Sequence, residues 1–316
     1  MKDAVMKIAN FPCLVMCVVL PVCVLQAEEA KVVTPEVSGA RGFGYLNDIC
    51  KIGPRISGSA GMIKQQQLIV HHFKKLGAQV AEQNFDAPHP LSGEPVRMKN
   101  LVISWHPEQK ERILLCCHYD TRPFPDQDPR NPRGRFIGAN DGASGVALFM
   151  EMAHHIKALD VPYGIDMLLF DGEELVFRRG DKYFLGSEYF ATEYRDNPPA
   201  HKYKYGVLVD MIAGKPLRLY YERNSLKYAP QVTQSVWQAA ADKKNRAFVP
   251  RARHEVLDDH IPLNEIAKIP TTDLIDFDYR YWHTTADSPR NCSAKSLESV
   301  AEVLLYWIQV LPGLNE

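Results

Sequence analysis

The chain has 316 residues, of which 46% are hydrophobic and 24% are charged, which is the balance of a globular protein with a large apolar core. Its 37 basic and 38 acidic residues give a formal net charge of −1. This composition argues against extensive disorder, and it argues against nucleic acid as a partner because no basic field is present. A small molecule or a peptide is the expected ligand.

Residues 1–27 are predicted to be an export signal rather than part of the fold. Two lysines precede an apolar run from Phe11 to Leu25, and the small residue Ala27 offers a cleavage point. The run has 15 residues and is interrupted by prolines, whereas a membrane-spanning helix needs about 20 apolar residues. We therefore expect an exported protein, periplasmic or extracellular, with no membrane contact beyond this segment. A retained membrane anchor and lipidation at Cys23 are the alternatives.

Four cysteines remain once this segment is removed, too few to suggest a disulfide framework. Cys116 and Cys117 are neighbours in the apolar run ILLCC and are predicted to be small core residues. An exported compartment permits a bridge between Cys50 and Cys292, but the sequence does not establish one.

Residues 28–316 are predicted to form a single domain, because they contain no repeat, low-complexity block or long linker. Strand-like and helix-like segments alternate along them. The β-rich runs are NLVISW (100–105), RILLCC (112–117), IDMLLF (165–170), YGVLVDM (205–211) and TTDLIDF (271–277). The clearest helical periods cover residues 62–77, 145–159, 225–243 and 296–311, and Gly77 ends the first. This alternation predicts an α/β sandwich in which apolar strands lie between helical layers.

Polar residues follow the predicted strands at the points where the strands end. His118 and Asp120 follow one strand, Glu173 and Glu174 follow the next, and Asp210 ends a third. Open α/β sheets bind their ligands outside the carboxyl ends of the strands. We therefore expect these side chains to converge on one rim of the sheet.

Two further candidates lie near this rim. Asp141 comes at the start of a predicted helix, and His283 follows the last predicted strand. Each has an ordinary alternative, because Asp is a good helix N-cap and single histidines are usually core or surface residues. As a set, the histidines and carboxylates offer the imidazole and oxygen donors that suit zinc. Three protein ligands with an open position are the catalytic form of such a site, and a two-metal site is the alternative.

Two polar segments are predicted to be loops. The tract RPFPDQDPRNPRGRF (122–136) is rich in proline and mixed in charge, which indicates a surface loop near the site rather than a binding patch. The segment FRRGDKYF (177–184) is likewise predicted to be a loop, and its RGD triplet is attributed to chance.

Six motifs then occur in order: HYD (118–120), GANDGASG (138–145), DGEE (171–174), VLVDMI (207–212), DDHIP (258–262) and WHT (282–284). With these motifs the sequence resembles the M28 metallopeptidase superfamily over nearly the whole mature chain. The resemblance implies a three-layer sandwich of the zinc-dependent exopeptidase type, with a mixed, mostly parallel central sheet. It also implies a zinc site, with Asp141, Glu174 and His283 as ligands and Glu173 as the general acid/base.

The branch of the superfamily determines the reaction. Two-zinc aminopeptidases hydrolyse N-terminal residues. In them, the residues at the positions of His118 and Asp210 complete a second site, and the residue at the position of Asp141 bridges the two metal ions. Glutaminyl cyclases keep much the same residues but use one zinc ion. Three features resemble the bacterial type of glutaminyl cyclase, namely Asp258 in DDHIP, an insertion at residues 175–185 and Trp282 before the predicted ligand.

Resemblance to this branch implies that residues 28–316 form a catalytic domain that cyclises the N-terminal glutamine of peptides or proteins to pyroglutamate and releases ammonia. We expect one zinc ion per chain to polarise the amide and Glu173 to carry the proton. We also expect Asp210 and Asp258 to share a proton and Trp282 to form an apolar wall of the substrate pocket. The main alternative is an aminopeptidase with two zinc ions, and a third is a catalytically inactive fold that serves as a binding domain.

Overall fold

The residues that the structure describes contain eight strands. The protein is represented by a computed structural model that describes residue 32 and residues 35–311. The strands are β1 (Gln79–Pro88), β2 (Pro95–Trp105), β3 (Glu111–His118), β4 (Gly164–Phe170), β5 (Lys202–Asp210), β6 (Leu219–Tyr221), β7 (Phe248–Ala252) and β8 (Thr271–Ile275). Six of them form one sheet in the order β1-β2-β4-β3-β5-β8, and β6 pairs with β7 in a second sheet.

The six-stranded sheet is mixed. Its strands β4, β3, β5 and β8 are parallel to one another, whereas β2 is antiparallel to both β1 and β4. Most residues of β3 and β4 are apolar and buried, because helices cover the sheet on both sides. The predicted mixed, mostly parallel sheet is confirmed.

Helices form the two outer layers. The α-helices of the described chain are α1 (Gly39–Ile52), α2 (Ala60–Lys75), α3 (Ala143–Ile156), α4 (Leu185–Asp196), α5 (Arg223–Tyr228), α6 (Pro230–Asp242), α7 (His260–Glu265) and α8 (Ala294–Val310). One face of the sheet packs against α1, α2, α3, α6 and α8, and the other packs against α4 and α7. Successive residues of β3 point to opposite layers, Leu115 and Cys117 to the larger one, Leu114 and Cys116 to the smaller. The predicted three-layer architecture is confirmed.

The helix predicted over residues 225–243 is two helices, so that prediction was wrong. Ala229 has φ −137° and ψ 50° and separates α5 from α6. The cause is Pro230, which has no N–H to donate and disfavours a helical conformation in the residue before it. Proline is well tolerated as the first residue of a helix, so α6 restarts at once.

Parts of the chain lie outside this description. The predicted export signal at residues 1–27 falls outside the described residues. The described residues belong to one compact unit. Among the described residues, no helix combines the length and the apolar character that crossing a bilayer requires. The four cysteines of this part of the chain are free, including Cys50 and Cys292.

The sheet brings the predicted polar residues to one edge. Because β3, β4, β5 and β8 are parallel, their carboxyl ends meet on the same side. His118 is the last residue of β3 and Asp210 is the last residue of β5, while Glu173 and Glu174 lie in the turn after β4.

Candidate metal centre

The three predicted metal ligands lie together at the carboxyl edge of the sheet. The Nε2 atom of His283 is 2.8 Å from Oε1 of Glu174 and 3.5 Å from Oδ2 of Asp141. All three residues are buried, and one ligand atom from each falls within a group of atoms no more than 4.8 Å apart. Two buried carboxylates and an imidazole at this spacing can hold one metal ion.

A second group shares one member with the first. The Nε2 atom of His118 is 3.3 Å from Oδ1 of Asp141 and 3.2 Å from Oδ1 of Asp210. Asp141 therefore presents one oxygen to each group. The sequence-predicted second site is thus present as an arrangement of side chains, and its geometry alone does not set the number of metal ions.

The first group has the properties of a site that needs a cation. The Oδ2 atom of Asp141 is buried, and no hydrogen-bond partner for it exists among the described residues. Burial, with the charge of Glu174 added, raises the pKa of Asp141 to about 7. A divalent ion at this point would satisfy the orphaned oxygen and offset the repulsion. Oxygen and imidazole donors fit zinc.

A loop holds two of these ligands in place. In the proline-rich tract, Asp126 places Oδ1 3.0 Å from Nδ1 of His283, and this contact orients the ring so that Nε2 faces the site. Arg122 donates its backbone N–H to Oε2 of Glu174 at 3.1 Å, and its Nη1 lies 3.3 Å from Oε1. The sequence does not indicate either role, because neither residue belongs to a periodic pattern.

The same contacts set the charge of the ligands. Burial alone lowers the pKa of His283, but Glu174 and Asp126 outweigh it and raise the pKa to about 9. Burial alone raises the pKa of Glu174, but His283 and Arg122 outweigh it and lower the pKa to about 2. Glu174 is therefore held as a carboxylate, which is the form that binds a metal.

The turn that carries Asp141 requires glycine. Gly142 has φ +89°, and a Cβ there would lie 2.5 Å from the backbone oxygen of Asp120. Gly142 is also the N-cap of α3, so Asp141 is not the helix cap that its position allowed. The carboxylate of Asp287 accepts the backbone N–H groups of Asn140 and Asp141 at 2.9 and 3.1 Å. The side chain of Asp141 is therefore left for the site.

Asp120 fixes the turn that carries the two glutamates. Its Oδ1 accepts the backbone N–H of Glu173 at 3.1 Å, and its Oδ2 accepts that of Glu174 at 3.0 Å. Adjacent residues then point their side chains in different directions. Glu174 faces His283, whereas Oε2 of Glu173 lies 3.9 Å from Nδ1 of His118. The sequence placed Asp120 on the rim but did not indicate this function.

Substitution of Asp120 tests this positioning. Asp120→Ala leaves two buried N–H groups without an acceptor, so we expect zinc affinity to fall by roughly 10–100-fold, as for other groups that orient metal ligands. Asp120→Asn keeps one acceptor oxygen and should lose less. Zinc titration of the purified variants measures the effect, with the exposed Asp86→Ala as control. Wild-type affinity in both Asp120 variants would contradict the assignment.

A cavity of about 300 Å³ opens onto the three ligands. The remaining predicted site residues, Glu173, Asp210, Asp258 and Trp282, also line it. The ring of Trp282 is half-buried, with its centroid 4.0 Å from that of His283 and 5.2 Å from that of Phe277. Trp282 thus forms an aromatic wall beside the ligands.

Two acids that line this cavity have raised pKa values. Burial, with the charges of Glu174 and Asp258, raises the pKa of Glu173 well above its ordinary value. Burial, with the charges of Asp210 and Asp259, does the same for Asp258. Burial and crowding with other carboxylates therefore favour the protonated form of Asp258.

Comparison with known proteins shows the family. The model of peptidase family M28 matches residues 100–308, which include every residue placed at the site above. The chain belongs to this family. The resemblance drawn from the six motifs is confirmed.

Within the family, the chain is similar to glutaminyl cyclases. The crystal structure of Fimbriiglobus ruber glutaminyl cyclase is 41% identical with a TM-score of 0.86, over 89% of this chain and 98% of that one. Glutaminyl-peptide cyclotransferase of Gloydius blomhoffii is 26% identical over 80% of this chain and 76% of its own length. A Zn-dependent exopeptidase from Parabacteroides distasonis is 29% identical with a TM-score of 0.81, over 88% of this chain and all (100%) of that one. The family and this last similarity imply that the metal is zinc.

Proposed function

We propose that the protein is a zinc-dependent glutaminyl-peptide cyclotransferase, which closes the N-terminal glutamine of a peptide or protein into pyroglutamate and releases ammonia. The observation that carries the proposal is the cavity itself, which holds the three-ligand cluster, the protonatable Glu173 and the aromatic wall of Trp282 together. The 41% identity to a glutaminyl cyclase supports it.

The reaction transfers one proton and replaces one C–N bond of the amide carbon with another. The α-amine of glutamine attacks the side-chain amide carbon, a ring C–N bond forms, and the bond to the amide nitrogen breaks to release ammonia. A bound zinc ion supplies Lewis-acid polarisation of the amide and stabilises the negative charge on its oxygen. The ligands proposed for it are Asp141, Glu174 and His283.

Glu173 is proposed to carry the proton. It takes a proton from the attacking amine and returns it to the departing ammonia, so it must be able both to bind and to release a proton near neutral pH. Its raised pKa, caused by burial and by neighbouring acids, favours this use. Trp282 would pack against the glutamine methylenes and exclude water from the amide.

Asp210 and Asp258 are proposed to share a proton, which supports a site with one zinc ion. A proton held between them occupies Asp210, so it no longer serves as a free carboxylate ligand for a second metal. A second zinc would also bind the amine that has to remain a nucleophile. The raised pKa of Asp258 beside Asp210 favours this arrangement.

A two-zinc aminopeptidase is the second candidate. The cluster of His118, Asp141 and Asp210 favours it, because these side chains meet as ligands of a second ion would. Similarity to a Zn-dependent exopeptidase favours it as well. The distinguishing residue is Asp258, whose proton would have to be lost before Asp210 became fully available to a metal.

The location of the reaction is proposed from the N-terminal sequence. The apolar segment within residues 1–27 supports export to the periplasm or the extracellular space. The substrates would then be exported peptides and proteins that begin with glutamine.

Mass spectrometry of the products separates the two activities. The zinc-loaded enzyme is incubated with matched peptides that begin with Gln, Leu or Ala. We expect the Gln peptide to lose one ammonia, keep every residue and become blocked to N-terminal labelling, because only glutamine offers a side-chain carbonyl at ring-closing distance. The Leu and Ala peptides should remain intact. Free Leu appearing faster than the Gln peptide cyclises would favour the aminopeptidase.

A further inference from the structure

A second cavity, of about 390 Å³, adjoins the catalytic one. Its walls come mainly from the two segments that the sequence indicated only as loops, residues 122–136 and residues 177–184. Tyr183 lines both cavities. The partition between them is built by Arg122, which donates to the Tyr183 hydroxyl at 3.2 Å, and by Asp126, which contacts His283. The two cavities are therefore separated by one layer of side chains.

The charge of this second cavity is positive. Four arginines line it against a single acid, Asp126. Two of the arginines are neutralised, since Arg122 pairs with Asp126 and Arg178 pairs with Asp181. The described residues supply no carboxylate for the other two, Arg133 and Arg179.

The two unpaired arginines are exposed and available to a ligand. Arg133 lies over the ring of Phe124, with 4.7 Å from its guanidinium carbon to the ring centroid. This stacking orients the guanidinium and leaves its N–H groups free. Arg179 is exposed at the tip of the loop after β4. Two guanidinium groups that line one cavity, with no carboxylate partner among the described residues, can bind a planar anion such as a carboxylate.

We propose that this cavity binds a carboxylate of the substrate peptide downstream of its N-terminal glutamine, and that Arg133 and Arg179 thereby give the enzyme a preference for acidic peptides. The inference rests on the proposed cyclase function, and it names the substrate class of the same site. Tyr183 lines both cavities, and an extended peptide advances by about 3.3 Å per residue, so residues that follow the glutamine would reach the second cavity. The carboxylate is either an Asp or Glu side chain or the C-terminus of a short peptide.

The test compares kcat/KM for peptides that differ only in charge. The C-terminally amidated peptides are Gln-Glu-Glu-Ala, Gln-Ala-Ala-Ala and Gln-Lys-Lys-Ala, and Gln-Ala-Ala-Ala is also used as the free acid. We expect the Glu peptide to exceed the Lys peptide by about tenfold, mainly through KM, as for one charge-assisted hydrogen bond. The ratio should shrink as salt is added, because exposed charges are screened.

Variants assign the preference to the two arginines. In the double variant Arg133→Gln/Arg179→Gln the Glu-to-Lys ratio should fall to about one, and Arg179→Glu should invert it, because one charge is then reversed. The matched control is Arg195→Gln, an exposed arginine that pairs with Asp196 on α4. This control should keep the wild-type ratio.

The outcomes show which part of the peptide supplies the carboxylate. They also separate failure of this inference from failure of the proposed cyclase function. An advantage of the amidated Glu peptide assigns the cavity to side chains, whereas an advantage of the free acid over its amide assigns it to a C-terminus. Equal kcat/KM for all four peptides, or a preference that survives in the double variant, would overturn the inference. Cyclisation of the amidated Ala peptide shows that the proposed function still stands in that case. Failure to cyclise any of the peptides would overturn both.

Discussion

Each of the substitutions Asp141→Ala, Glu174→Ala and His283→Ala should remove bound zinc and lower cyclase activity by more than about 100-fold, because loss of a direct ligand exceeds the 10–100-fold typical of groups that only orient ligands. The three side chains are buried within one cluster. Among the described residues, the other potential metal ligands beside this cluster are His118, Glu173 and Asp210. Metal content per chain and the rate of ammonia release measure the two effects.

Controls separate metal loss from misfolding and count the ions. The exposed His71→Ala on α2 should keep both zinc and activity. His118→Ala should retain one zinc equivalent, since His118 is not one of the three residues Asp141, Glu174 and His283 that form the first group of ligands. A wild-type protein with two zinc equivalents, one of which is lost in His118→Ala, would show that the one-metal site is wrong.

Replacing Glu173 by Gln should leave zinc bound while turnover falls by about 100-fold or more, because the variant keeps the shape of the side chain but cannot accept a proton. Glu174→Gln should instead weaken zinc binding, since a neutral amide replaces a carboxylate that His283 and Arg122 hold in its ionised form. Zinc content and kcat of the two variants, purified side by side, provide the measurement.

The comparison is sensitive because the two residues are adjacent and chemically identical. The backbone contacts of Asp120 direct their side chains apart, so their roles should separate in the variants. Equal loss of zinc in both variants would show that Glu173 is also a ligand and would remove its separate role. Full turnover in Glu173→Gln would require a different proton carrier.

The fold was predictable where burial leaves a periodic pattern. The parallel strands β3, β4, β5 and β8 are largely buried and contain apolar runs, and α2, α3 and α8 show apolar residues at helical spacing. The strand β1 was missed because it lies at the edge of the sheet and most of its residues are exposed or half-buried. The short elements β6, β7 and α7 are too brief for a periodic signal.

The site was predictable in its residue types, since each predicted side chain follows a strand or precedes a helix at the carboxyl edge. The groups that orient them were not. Asp126 and Arg122 lie in an irregular loop. Asp287 accepts a hydrogen bond from the backbone N–H of Asp141, although the two residues are 146 positions apart in sequence. Contacts of this range leave no trace in a local pattern.

The sequence by itself determined the layers of the fold, the edge at which the chemistry lies and the kinds of donor found there, because these depend on local hydrophobic spacing and on where strands end. Only the tertiary structure decided which oxygen of Asp141 faces which histidine and how Glu173 and Glu174 diverge. It alone also brought Arg133 and Arg179 to one cavity from two loops. Such placements depend on chain segments that are distant in sequence and meet only when the sheet and its helices have packed.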